Sequence, residues 1–239
     1  GASMGAVVGA AYAAGLPARD LRRHVLALAR APGDVMGRVM RARVGSLFGL
    51  FTGGLSNPVL LDAEILLESF WPEGVPETFD ELRIPLTVVA TDFHGRREAA
   101  LSSGGLAAAV AGSMAIPGLF KPVERDGLVL IDGGVTNPLP FDLLFGRADL
   151  VMAFDVIGEP ATARGATPSS FEAMFGAAQI MQRALANRML ALRAPDAAIR
   201  PQVEAFRILD FFRAEQILAA GDAAKDDIKR ALAARLEAV

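Results

Sequence analysis

The chain contains no cysteine. That removes disulfide frameworks, thiolate metal sites and cysteine nucleophiles together. Histidine is nearly as scarce: His24 and His94 are the only two, with no H-E-x-x-H pair for zinc. An α/β-hydrolase places its histidine late, after the serine and the acid, yet none follows position 94. His24 sits too near the N-terminal motif and among arginines, and His94 reads as an exposed turn residue, so a Ser-His-Asp triad is not expected. Lysine occurs only at Lys121, Lys225 and Lys229, so arginine supplies most of the positive charge. The net charge of −3 gives no electrostatic case for a nucleic-acid partner. There is no P-loop and no G-x-G-x-x-G. The longest apolar run, 106–120, is broken by Gly112, Ser113 and Pro117 and falls short of the roughly 20 residues that cross a bilayer. No basic segment leads into an apolar one as in a signal peptide. The expected location is therefore the cytoplasm, with peripheral contact at a membrane as the extension of that reading.

What is present is core material. Of 239 residues, 52% are apolar and 21% charged, enough for one large domain over 1–239. Helical patterns cover residues 6–14, 19–30, 62–71, 105–113, 169–192 (opened by a Ser169/Glu172 capping box) and 214–239, the last in two pieces around Gly221. Buried-strand patterns cover 84–91, 128–131, 150–156 and 197–201. This alternation predicts an α/β fold with helix, sheet and helix in layers. Residues 44–58, apolar and glycine-rich, read either as a flap against a substrate, with Phe48 and Phe51 as its contacts, or as a core loop.

Two motifs carry chemistry. Gly1-Ala2-Ser3-Met4-Gly5 is a G-x-S-x-G sequence followed at once by a helix, the pattern of a sharp turn that presents a serine hydroxyl. Gly1 and Gly5 are expected to make room for it. The Met4 amide beneath the serine is a candidate oxyanion donor. With no histidine to serve, the base must be a carboxylate. Asp132 ends an apolar strand and precedes Gly133 and Gly134, which lets it be a buried base with a raised pKa or simply the corner of a D-G-G turn.

Taken together, these motifs resemble the patatin-like phospholipases. The resemblance rests on Gly1–Gly5, Asp132-Gly133-Gly134, the segment Ser113-Met114-Ala115-Ile116-Pro117-Gly118-Leu119-Phe120 between them, and Asn137-Pro138-Leu139-Pro140 after them. The stretches 208–211 and 219–221 are similar to the end of smaller bacterial members. The resemblance implies a three-layer α/β/α sandwich with a mixed, mainly parallel sheet, distinct from the α/β-hydrolase topology. It implies a Ser3–Asp132 dyad that cleaves carboxylic esters of lipids through an acyl-enzyme, without metal or other cofactor. An acyltransferase using the same dyad, or a non-catalytic lipid-binding protein of the same fold, are the alternatives. Partners would be a lipid or acyl ester and, transiently, a membrane surface. The family also carries a strand and a Gly-rich, Arg-containing loop ahead of the elbow, which supplies oxyanion donors; a chain read from Gly1 is expected to need both.

Overall fold

A computed structural model describes residues 1–44, 60–159, 167–203, 206 and 211–237. The proposed flap beyond Val44, with Phe48 and Phe51, lies outside the described residues, as do 208–210. The described chain divides into two compact units, residues 1–136 and 137–239.

The first unit opens with the turn at Ser3 and runs through α1 (Met4–Ala13), α2 (Ala18–Ala29) and α3 (Pro32–Arg41). A two-residue pair, β1 (Arg43–Val44) with β2 (Leu60–Leu61), leads to α4 (Ala63–Phe70). Asp62 caps α4, its carboxylate accepting from the Glu64 and Ile65 amides at 3.0 and 3.1 Å and pairing with Lys121 at 2.6 Å. Then come β3 (Val88–Asp92), β4 (Arg97–Leu101), α5 (Leu106–Ser113), β5 (Val123–Arg125) and β6 (Leu128–Ile131).

The last four strands form one sheet in the order β4-β3-β6-β5, and every pairing within it is antiparallel. The fold is α/β, as the sequence predicts, but the expected mainly parallel sheet is corrected here. Short turns account for two of the three pairings, β3 with β4 and β5 with β6. Between β3 and β4 the Asp92 carboxylate accepts from the Gly95 amide at 3.0 Å, closing a tight corner. Between β5 and β6 only Asp126 and Gly127 intervene, both at positive φ, a conformation suited to a two-residue hairpin. Connections this short cannot return a strand in parallel, which takes a crossover of a dozen or more residues. Parallel contacts do occur, at Ala2↔Val89 and Leu61↔Phe120.

The core of this unit gathers Val88, Val89, Leu106, Val110 and Leu130, all fully buried, with Ala6 and Ala10 of α1. Small residues on α1 and α5 let both helices approach closely; α5 presents Ala109, Ala111 and Gly112 as well as Val110 among its buried residues.

The second unit holds β7 (Met152–Phe154) and β8 (Ala197–Ile199), paired in parallel. Between them in sequence lies α6 (Ser170–Leu192), opened by the predicted Ser169/Glu172 capping box. Then follow α7 (Ala214–Ala223) and α8 (Lys225–Leu236), which divide at Ala224 and not at Gly221. Leu139, Phe141, Val151, Ala153 and Ala186 make its core.

Candidate active site

Everything at the site is measured against one edge of β3. Along that edge, Gly1 and Ala2 run parallel to β3: the Gly1 amine donates to Thr87 O at 2.8 Å, and the Val89 amide donates to Gly1 O at 2.9 Å. Farther along the same edge β6 takes over in the antiparallel sense, with Ile131 opposite Thr91 and Leu130 opposite Asp92. The two neighbours of β3 thus approach end to end around Ala90. Ser3 is the next residue after one of them and Asp132 the next after the other.

Ser3 has φ 50° and ψ −123°. A non-glycine residue in that region is strained by about 1–3 kcal/mol and needs surroundings that hold it. The surroundings include Ser113. Its hydroxyl accepts from the Ser3 amide at 2.8 Å and donates to Val89 O at 2.6 Å, and the residue is fully buried. Two residues on, Ala115 O accepts from the Asp132 amide at 3.0 Å. One short segment between the two motifs therefore fixes both. This anchoring role does not follow from the segment's likeness to the family; the signal for it in the sequence is a lone serine closing a helix otherwise made of Leu, Ala, Val and Gly.

Asp132 is held from its other side as well. Thr91 Oγ1 donates to Asp132 O at 2.9 Å and lies 2.8 Å from the Thr136 hydroxyl. Asp132 is buried, 3% exposed. Oδ1 accepts from the Gly134 amide at 2.7 Å, while Oδ2 is buried without a well-formed hydrogen bond among the described residues. Burial pushes the pKa of Asp132 up; the Ser3 side chain and the Gly134 amide act against that push. Ser3 is thus near enough to act on the carboxyl without completing a strict hydrogen bond to Oδ2, and catalytic contacts are often loose before substrate arrives.

The glycines divide. A Cβ on Gly133 would lie 2.0 Å from Val89 O, and one on Gly1 would lie 2.5 Å from Gly5 O. Neither position has room for a side chain. A Cβ on Gly5 meets nothing within 4 Å, so the expectation that Gly5 is needed for space is corrected. At the start of α1 the amides of Gly5, Ala6 and Val7 bond to the carbonyls of Ala2 and Ser3. The Met4 amide has no acceptor inside the helix and remains the oxyanion candidate.

Among the described residues, neither histidine is a hydrogen-bond partner of Ser3 or Asp132. His24 Nε2 is 2.7 Å from Phe70 O. His94 stacks edge-on against Phe93, centroids 5.4 Å apart. Val89 to Phe93 along β3 already spans roughly 13 Å at the usual strand rise, which carries His94 away from Ser3.

A helix-starting elbow and an acid-ended strand, converging on one sheet edge of an α/β unit, define the class. The model of the patatin-like phospholipase family matches residues 1–145, and the chain belongs to that family. Among curated proteins, an uncharacterized NTE family protein of Mycobacterium tuberculosis is 35% identical over 171 residues, covering 71% of this chain and 43% of that protein. The same figures hold for its Mycobacterium bovis counterpart. A second uncharacterized NTE family protein of M. tuberculosis is 28% identical over 153 residues, 62% of this chain and 23% of that protein. The chain spans less than half the length of these relatives. No helix among the described residues is long and apolar enough to cross a membrane.

Proposed function

We propose that this chain carries the active site of a lipid acyl hydrolase working through a Ser3–Asp132 dyad. One observation supports the reading above all. The carboxyl next to the strained Ser3 is buried, has its pKa raised, and keeps one oxygen free of strong hydrogen bonds. Such a group is a better base than an exposed aspartate, because its protonated form is favoured.

In the first half-reaction, Ser3 Oγ attacks the acyl carbon and its proton passes to Asp132 Oδ2. The Met4 amide donates to the developing oxyanion. As the tetrahedral intermediate collapses, the ester C–O bond breaks and the alcohol leaves with the proton from Asp132. A water molecule then gives its proton to Asp132 and attacks the acyl-enzyme, and Ser3 Oγ recovers the proton as the fatty acid departs. Phe48 and Phe51 remain the proposed apolar contacts for the acyl chain.

A fluorophosphonate probe with mass mapping tests this reading. Labelling at Ser3 in wild type, and its loss in both Ser3→Ala and Asp132→Asn with circular dichroism unchanged, is the expected result. Labelling that survives in Asp132→Asn at the wild-type rate removes Asp132 as the base.

A further inference from the structure

Charge is spread unevenly along the chain. Residues 17–44 contain seven arginines against two aspartates, a formal +5, while the whole chain is −3, which leaves −8 for the remainder. The segment is almost entirely α2 and α3. Helical spacing gathers Leu21, Val25 and Leu28 on one side of α2, and Val35, Met36, Val39 and Met40 on one side of α3. In a globular domain such a side faces the core. Neither helix buries a residue fully: Leu21, Leu28, Val35 and Val39 are half-buried. Val25, Met36 and Met40 are 40%, 54% and 49% exposed.

Polar groups attach the pair to the unit. His24 bonds to Phe70 O. Arg38 donates to Ser69 O and lies over the Phe70 ring, 5.6 Å from its centroid. Arg19 and Arg23 are highly exposed beside Asp20, and Arg41 and Arg43 are exposed too. The neighbouring α4 brings two acids, Glu64 and Glu68, and with them counted the two segments together are still +3.

We propose that the α2–α3 hairpin is a docking surface for an anionic lipid bilayer. The arginines would meet the headgroups, and Val25, Met36 and Met40 the acyl boundary. Charge complementarity identifies the occupant: a basic helix pair with uncovered apolar residues suits an anionic interface, and long arginine stems let the charge reach headgroups while the stem stays in apolar surroundings. A nucleic acid would match the arginines and leave the methionines without a role. The proposal goes beyond the hydrolase reading and stands without it.

The test is co-sedimentation of the purified protein with vesicles of phosphatidylcholine alone and of phosphatidylcholine with phosphatidylglycerol. Wild type is expected to prefer the anionic vesicles and to release as salt is raised, since screening shortens to about 3 Å at 1 M. Replacing Arg19, Arg23, Arg41 and Arg43 together by glutamine should weaken anionic binding at least about tenfold, because each such charge contributes measurably near an anionic surface. Met36→Ser with Met40→Ser should weaken what binding remains at high salt. Circular dichroism confirms that both variants fold. No preference for anionic vesicles in wild type, or undiminished binding in the arginine variant, overturns the proposal; so does equal competition by duplex DNA, which would make the patch a general polyanion site. Hydrolysis of a soluble short-chain ester is followed in the same preparations and should be unchanged in both variants. If no preparation hydrolyses the ester while vesicle binding behaves as expected, the hydrolase reading falls and the docking surface stands.

Discussion

Two buried aspartates, each directly after a short strand, have opposite surroundings. Asp155 follows β7 and is 2% exposed; Asp132 follows β6 and is 3% exposed. Arg183 and Arg200 both pair with Asp155, the latter at 2.7 Å, and its second oxygen accepts from the Ile157 amide at 3.1 Å. Among the described residues Asp132 has no cation, only the Gly134 amide and the nearby Ser3. A buried carboxylate that serves only the fold is expected to be neutralised, because an unpaired buried charge is costly. Leaving Asp132 without a cation keeps its proton affinity high, which costs stability and suits proton transfer. The contrast separates a structural acid from a candidate catalytic one without reference to sequence motifs.

The contrast can be broken or sharpened by mutation. The largest effect is expected at the dyad. Ser3→Ala and Asp132→Asn should each lower kcat for a p-nitrophenyl ester by at least about 10³-fold, since members of a catalytic unit fail together. Asp132→Asn should at the same time leave the melting temperature unchanged or higher, because it removes a poorly solvated charge. A large drop in stability in that variant would place Asp132 with Asp155 as a structural residue.

Asp155→Asn is the counterpart. It leaves Arg183 and Arg200 without their carboxylate and should destabilise the protein by about 3 kcal/mol, the scale for breaking a buried pair. Calorimetry reads this directly, and labelling of Ser3 in the molecules that remain folded should persist. An intermediate effect is expected for Ser113→Ala, which strips the acceptor from the Ser3 amide. Kcat should fall by about 10–10²-fold with KM little changed, as small misplacements of a nucleophile are costly. Equal loss of kcat in a core variant of matched melting temperature would reduce Ser113 to packing.

The pH dependence follows from directions. Because the pKa of Asp132 is raised, kcat/KM should climb with pH along a limb that lies above the ordinary carboxylate value of about 3.9. The stability term has the same origin: the penalty of the charged form disappears as pH falls through the folded pKa. Asp62 behaves oppositely. Burial raises its pKa, but the Lys121 ammonium and the Ile65 and Glu64 amides outweigh this and hold it low. Its stabilisation is present above the unfolded pKa and lost as pH falls through the folded one. The smallest effect belongs to the histidines. Replacing His24 and His94 together by glutamine should cost less than about tenfold in kcat/KM and leave the acid limb in place; a shifted limb would restore a histidine base.

Much of the site was legible because its residues are locally unusual. A serine between glycines at a helix start and an aspartate at a strand end before two glycines both depart from ordinary patterning. The helices α1, α4, α5 and α6 and the strands β3, β6, β7 and β8 were readable from apolar spacing. α3 was not, since Pro32, Gly33 and Gly37 weaken its helical signal. β4, with its sequence Arg-Glu-Ala-Ala-Leu, carries no β-branched residue and is a strand because β3 offers it an edge.

The sequence by itself left no cysteine and no late histidine in this chain for the chemistry, and it pointed to Ser3 and Asp132 as the candidate nucleophile and acid. It determined the α/β composition of the chain. It could not decide that the sheet is antiparallel, since strand direction depends on which edges meet. Nor could it decide that Ser113 holds the Ser3 amide while Ala115 holds that of Asp132. Those contacts join positions more than a dozen residues apart, and only the folded sheet, with β3 as the common edge, brings them within hydrogen-bond distance. The same holds for Asp132 and Asp155: the sequence shows two strand-end aspartates, and the tertiary structure alone gives arginines to one and a serine to the other.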